Sequence, residues 1–290
     1  MQSGVMDCFT AACPEPVEGF AMTMLFHVNT MKPFLRWLGL VAVALVLLQL
    51  FFVARIAAML VIDPQSTTFE RSEAWRVTTQ KGSLRWRQQW TPYDKISNNL
   101  KRAVIASEDD GFANHDGVDW NAIEKAWQKN TRAQELAAQA QARNAARNPP
   151  KSSAKPAATA TAKSIKAAKV VGGSTITQQL AKNLFLSGER TFLRKGQEFV
   201  LALLLEAVLS KERIFEIYLN SVEWGEGVFG AEAAAQHYFR KPAAQLGTYE
   251  AARLAVMLPR PKYFEKLPNS SYVAGRAEII ARRLESAELP

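Results

Sequence analysis

The chain has 290 residues, with 36 Lys and Arg against 27 Asp and Glu for a formal charge of +9, and 48% of it is hydrophobic. It is too apolar to be wholly disordered and long enough for one or two domains with a good-sized core. Two cysteines, Cys8 and Cys13, exclude a disulfide scaffold, while the basic excess leaves nucleic acid, an anionic membrane surface or a phosphate-bearing substrate as partner.

Residues 1–30 carry Met1, Met6, Met22 and Met24 without periodicity, and Met31 opens a short basic lead, MKPFLRW. The expected true start is therefore at or near Met31. From 37 to 54 run 18 residues without a charge, and after Arg55 the apolar run resumes as far as Asp63. That length suits the hydrocarbon core of a bilayer, so 37–62 is predicted to be a single transmembrane helix, with Arg55 snorkelling to the interface. A cleaved signal peptide needs a shorter apolar region and a small-x-small site behind it, which this stretch lacks. Lys32 and Arg36 precede the span. The positive-inside rule then places residues 1–36 in the cytoplasm and everything beyond about 63 outside.

Residues 63–91 read as a membrane-proximal arm. Alternation in WRVTTQ and SLRWRQQW around Lys81-Gly82 predicts a short hairpin or extended segment, with Trp75, Trp86 and Trp90 interleaved among arginines. From Pro92 the pattern turns helical: KISNNLKRAVIAS, DWNAIEKAWQKN, TITQQLAKNLFL, RKGQEFVLALLLEAVLSKERIFEIYLN, AEAAAQHYF, TYEAARLAVML and AGRAEIIARRLES. Seven such stretches with almost no strand signal predict a mainly α fold, ending in a C-terminal helix or tail over 276–290. The apolar run 199–209 is too short to cross a bilayer and reads as a core helix.

Residues 129–170 break the pattern. Fourteen of these positions are Ala, none is aromatic, and Pro149, Pro150 and Pro156 interrupt them. Such a tract buries too little to offset its ordering entropy, so it reads as a flexible insert with a transient helix near 134–146. It holds nine basic residues and one acid, and so carries nearly all of the net charge. The +9 therefore describes this tract, and nucleic acid is excluded as a partner. Ser152-x-x-Lys155 matches a pattern of penicillin-reactive enzymes, but no Lys-Thr-Gly follows, and the match reads as chance.

Three constellations carry chemistry. In AVIASEDDGFANHDGVDW, Glu108-Asp109-Asp110 follow an apolar helical run, where a carboxylate can be tuned as a base. His115 has no second His or Cys at ligand spacing, which disfavours zinc. In GGSTITQQLAKN, Gly172-Gly173 permits a tight turn, and Thr175-x-x-Gln178 resembles a capping box. Free N–H groups at such a start favour a phosphate, with Thr175, Gln178, Gln179 and Lys182 on or near one face. In RKGQEFVLALLLEAVLSK, Glu198 and Glu206 sit on an otherwise apolar helix and must be paired, hydrogen-bonded or functional. Arg194 and Lys195 stand one turn before Glu198, placed either to pair with it or to hold a phosphate.

The order and spacing of these blocks resemble the peptidoglycan glycosyltransferases of family 51, and among them the monofunctional biosynthetic transglycosylases. The first family motif is matched by Glu108, Asp109, Phe112, His115 and Gly117, and the second by Gly172, Ser174, Thr175, Gln178, Gln179, Lys182 and Asn183. The third is matched by Arg194, Lys195, Glu198, Ser210, Lys211 and Tyr218-Leu219-Asn220, with two further blocks at 227–239 and 250–264. The likeness covers about 92–275, with the 129–170 insert as its departure from the pattern.

The resemblance implies a lysozyme-like helical glycosyltransferase domain over 92–275, behind one membrane anchor. It implies polymerisation of lipid II into β-1,4-linked glycan, with inversion and release of undecaprenyl pyrophosphate. Glu108 would be the general base, and Lys182, Arg194 and Lys195 would hold the diphosphate, helped by Ser174 and Thr175. Phe112, His115, Gln178, Gln179 and Asn183 join the same substrate site by their motif positions. Glu198, the second essential carboxylate, is left with two roles, orienting Lys and Arg side chains or assisting the leaving group. Asp109 is left with positioning the base or a divalent cation, Mg or Mn; no tightly bound cofactor is implied. The implied partners are lipid II and the growing glycan strand, the bilayer, and cell-wall synthesis and division proteins. The implied place is the bacterial inner membrane, single-pass, with the C-terminal catalytic domain periplasmic. About 26 residues follow Phe264, too few for a transpeptidase domain, so a monofunctional polymerase is expected. A lysozyme-like hydrolase shares the fold class and the acidic chemistry but needs neither the phosphate-binding face nor an anchor. A non-catalytic membrane scaffold leaves Glu108 and Glu198 unexplained.

Overall fold

The computed structural model describes residues 18–82, 85–147, 174–186 and 192–290. The chain divides into two units, 1–54 and 55–290. Helix α1 (Glu18–Ala58) includes a stretch, Pro33–Ala58, long and apolar enough to cross a membrane. Most of its large side chains, among them Leu40, Val46 and Phe51, are exposed. The expected start near Met31 turns partly on residues 1–17, which lie outside the described residues.

The arm expected over 63–91 is not a hairpin. Thr68–Lys81 form helix α2, closed at its start by a capping box between Thr67 and Glu70 and at its end by Gly82 in the left-handed region. These end signals outweigh the apolar–polar alternation between them. Among the described residues of this stretch, the strand is the two-residue β1 (Arg87–Gln88), which pairs in parallel with β3 (Val228–Phe229); β2 (Glu223–Gly225) joins the far side of β3 antiparallel. Trp86, half-buried, stacks on Phe229 with ring centroids 4.4 Å apart, so this tryptophan packs against the sheet.

The helical readings beyond Pro92 correspond to α3 (Asn98–Glu108), α5 (Ile176–Phe185), α8 (Ala231–Phe239), α9 (Thr248–Met257) and α11 (Ser271–Arg283). The long 194–220 stretch is two helices, α6 (Phe192–Val208) and α7 (Lys211–Ser221), because Ser210 accepts from the Arg213 N–H and caps a new start. Helix α10 (Pro261–Phe264) is a single turn. Helix α4 runs from Trp120 to Arg147, so residues 129–147 of the expected flexible insert are helical, and 148–170 lie outside the described residues. Alanine, the best helix former, lets α4 continue from the aromatic segment before it although little of it is buried.

α5 is the hub. It packs on α6, α7 and α2, while α3 packs on α9 and α11. Ile176, Leu180 and Leu184 of α5 are fully buried, each worth about 2 kcal/mol of apolar transfer. Thr68 adds a 2.9 Å hydrogen bond to the Leu184 carbonyl. The two ends of this buried helix position the polar groups described next.

Candidate active site

Glu108 is the last residue of α3, whose Leu100, Ala103, Val104 and Ile105 are fully buried. Its carboxylate, half-buried, accepts a 3.0 Å hydrogen bond from the side-chain amide of Gln179 on α5. The oxygen of that amide accepts at 3.1 Å from the hydroxyl of Tyr218, which is fully buried in α7. Tyr218 thus fixes which way the amide faces and aims its N–H at Glu108. Burial, with the nearby charges of Glu108 and Asp109, pushes the Tyr218 hydroxyl well above its ordinary pKa and keeps it a donor. Burial also raises the Glu108 carboxyl; the Gln179 bond pulls it down and the Asp109 charge pushes it up.

Asp109 is buried with both oxygens engaged. One lies 2.9 Å from His115 Nε2, and the other accepts from the Ile176 N–H at 2.9 Å. The α5 start is therefore not an open anion site. Asp109 takes its first N–H, and the Thr175 hydroxyl accepts from the Gln178 N–H at 3.2 Å while donating to the Gly117 carbonyl at 2.6 Å. The favourable end of the helix dipole is satisfied from within the protein. Thr175 and Gln178 are buried in this cap, Asn183 is buried beyond it, and Gly172-Gly173 lie outside the described residues. Phe112 is fully buried against Phe215 and beneath the Lys211 ammonium, 4.6 Å from its ring centre, so it supports the site from behind. Lys182 is exposed one turn beyond Gln179 on α5.

A second cluster forms where α6 begins. Glu198, buried, holds Arg194 at 3.3 Å and also pairs with Lys195, whose ammonium reaches Ser174 at 3.5 Å. Beside it opens a cavity of about 490 Å³ lined by Trp120, Ile123 and Trp127 of α4, Phe199, Ser174 and Lys195 among others. Trp120 and Trp127 are 66% and 74% exposed, unusual for tryptophan.

Glu206 has a structural partner set: it accepts from Thr177 at 2.6 Å and pairs with Lys211 at 2.8 Å, while Lys211 also donates to the His115 carbonyl. Gly117 closes against this pair with a positive φ of 81°, and a Cβ there would stand 2.9 Å from Glu206 Cγ. The helix pair thereby locks the loop that carries Asp109 and His115.

Both oxygens of Asp109, the residue left open to a divalent cation, bond to protein groups. Among the described residues, no group of three or more His, Cys, Asp or Glu is placed to hold a metal ion.

A family model described as Transglycosylase matches residues 76–140 and 153–285. The chain belongs to the transglycosylase family. The break in that match falls inside the Ala/Lys tract. A biosynthetic peptidoglycan transglycosylase of Burkholderia thailandensis is 52% identical over 259 residues, 88% of either chain. Relatives of the same name from Burkholderia lata and Burkholderia pseudomallei are 48% and 49% identical, over 91% and 88% of this chain and 96% and 88% of theirs. The protein is thus a glycosyltransferase with the mainly α, lysozyme-like fold of a transglycosylase domain. Within that domain, motif spacing picks out Glu108, Gln179, Lys195 and Glu198, which the fold gathers around α5 and the start of α6. Tyr218 is matched there without a role of its own, Glu206 is left with pairing or function, and Trp120 and Trp127 are not singled out. The available signal for Tyr218 is a hydroxyl on the apolar face of a helix, which needs a buried partner.

Proposed function

We propose that the chain polymerises lipid II into β-1,4-linked glycan strands, releasing undecaprenyl pyrophosphate, at the periplasmic face of the bacterial inner membrane. The observation that carries this reading is Glu108, a carboxylate of raised proton affinity held by the Gln179–Tyr218 relay at the edge of solvent. A general base works best when its proton affinity approaches the working pH, and burial moves Glu108 that way. Glu108 takes the proton from the acceptor sugar's 4-hydroxyl; that oxygen bonds to C1 of the donor sugar, and the C1–O bond to the pyrophosphate breaks with inversion. The departing negative charge is met by Lys195 and Arg194, with Lys182 on the neighbouring helix.

Glu198 takes the orienting role of the two open to it, since its carboxylate is engaged by both Arg194 and Lys195. The apolar cavity beside Lys195, with its exposed tryptophans, is suited to the lipid chain that carries the phosphate. The 26-residue stretch Pro33–Ala58 extends about 39 Å at 1.5 Å per residue, more than the hydrocarbon core requires, and serves as the anchor. Cell-wall synthesis and division proteins are the partners such an anchor would meet.

The test is to incubate the purified full chain with lipid-linked disaccharide and separate the products on a gel. Long glycan ladders from the wild type and none from Glu108→Gln are expected. Ladders that persist in Glu108→Gln would remove the base, and soluble fragments released from finished wall would make the protein a hydrolase.

A further inference from the structure

Away from the catalytic groups, a cavity of about 460 Å³ opens between α2, the β1–β3 pair and α8. It is lined by Val77, Lys81, Arg85, Arg87, Glu226, Gly227, Val228, His237 and Glu265 and shares no lining residue with the groove beside Lys195. The acids on its wall are already engaged. Glu226 pairs with Lys81 and, at 3.2 Å, with Arg76; Glu265 accepts the Glu226 N–H at 2.8 Å and faces His237 Nε2 at 3.5 Å. The arginines are not neutralised. Among the described residues no carboxylate pairs with Arg85 or Arg87, and the side chain of Arg87 meets only the Nδ1 of His237, at 3.1 Å.

Arg85 and Arg87 stand two residues apart at the start of the strand pairing, so both belong to one face of the extended chain. The approach is fixed by Gly227, whose φ is +72° and whose Cβ, if it had one, would lie 2.0 Å from the Arg85 carbonyl oxygen. Two guanidinium forks on one wall of a cavity match a planar oxyanion. The cavity is larger than one oxyanion needs and lies within the range of small-molecule sites, with Val77 and Val228 as an apolar floor.

We propose that this cavity is a binding site for a short acidic peptide, whose carboxylate is held by Arg85 and Arg87. The rest of the peptide occupies the remaining volume of the cavity. The site uses none of the groups assigned to polymerisation, so a binding measurement reads it even if the role of Glu108 is overturned.

The experiment titrates the full chain in detergent with the dipeptide Glu-Glu by calorimetry, with inorganic phosphate as the second probe. Saturable binding of the dipeptide is expected, weakened about tenfold or more in an Arg85→Gln/Arg87→Gln double variant with an unchanged melting temperature. Arg85→Lys/Arg87→Lys, which keeps the charge and loses the fork, should fall between the two. Equal binding by the wild type and the Gln variant, no saturable binding at all, or phosphate binding as tightly as the dipeptide would each overturn the peptide site.

Discussion

Around Glu108 the immediate partners are an amide hydrogen from Gln179, the tyrosine behind it and the negative charge of Asp109. Around Glu198 they are two cations, Arg194 and Lys195, drawn from the preceding turn of its own helix. Both carboxylates sit on largely apolar helices, yet the first environment strengthens attraction for a proton and the second provides permanent positive partners. A base needs the former and a charge holder the latter. The contrast comes from the source of the partners. Those of Glu198 are three and four residues away in sequence, whereas Gln179 reaches Glu108 across a separation of 71 residues.

The strongest way to break this comparison is to neutralise each carboxylate in turn. Glu108→Gln should lower kcat by about a thousandfold, near the upper part of what general-base loss costs. Glu198→Gln should cost about a hundredfold, because Arg194 and Lys195 lose the group that sets their direction toward a developing negative charge. Steady-state rates across pH separate the two. The acidic limb of the rate profile in Glu198→Gln should stay where the wild type has it, and a moved limb would mean that Glu198 tunes the base after all.

Much of the fold is legible from apolar periodicity, which marks α3, α5, α8, α9 and α11. It fails at α2, where the informative residues are the caps, Thr67, Glu70 and Gly82, and not the alternation between them. At α4 it marks the aromatic start, DWNAIEKAWQKN, but not the continuation through 129–147, where an Ala-rich stretch with too little apolar surface to build a core is still helical. The same division runs through the site. Motif spacing brings Glu108, Gln179, Lys195 and Glu198 to attention, but it also suggests an open phosphate site at the α5 start. That start is closed by Asp109, 67 residues earlier in the chain, and no local pattern shows which polar side chain a helix end will receive. Thr175, Gln178 and Phe112 are buried for the same reason: whether such a residue faces a cleft or a core is a tertiary fact.

A finer cut tests the relay. Gln179→Leu removes the hydrogen bond that favours the charged form of Glu108, so the carboxyl should titrate still higher. Because the base must be deprotonated to act, the acidic limb of kcat should move to higher pH, with about a tenfold loss below neutrality. Tyr218→Phe should move it in the same direction by a smaller amount, about threefold in rate, since Gln179 remains but is free to turn. If Tyr218→Phe leaves the limb in place while Gln179→Leu shifts it, the tyrosine fills the core without aiming the amide.

The smallest effect concerns buried carboxyls outside the site and shows what burial does without catalysis. Glu70 accepts from the Thr67 N–H at 2.8 Å and from Gln88 at 3.1 Å, and Glu223 lies 3.3 Å from Lys262; burial pushes each up to about 7. In the unfolded chain both titrate near 4.5, so the folded form holds the proton more tightly. Their contribution to stability is therefore fully present below about pH 4.5 and is lost as pH rises through about 7. Glu223→Gln, and to a lesser degree Glu70→Gln, should flatten the decline of melting temperature across that window, by a difference on the order of 1–3 kcal/mol. Thermal melts at pH 5 and pH 8 decide it, and parallel slopes in wild type and variants would show that these carboxyls are ionised throughout. Glu108 shares the cause of the shift but differs in what surrounds it. Solvent reaches one edge of Glu108, so under the proposed mechanism its raised proton affinity would act on a sugar hydroxyl, while that of Glu70 and Glu223 acts on the fold.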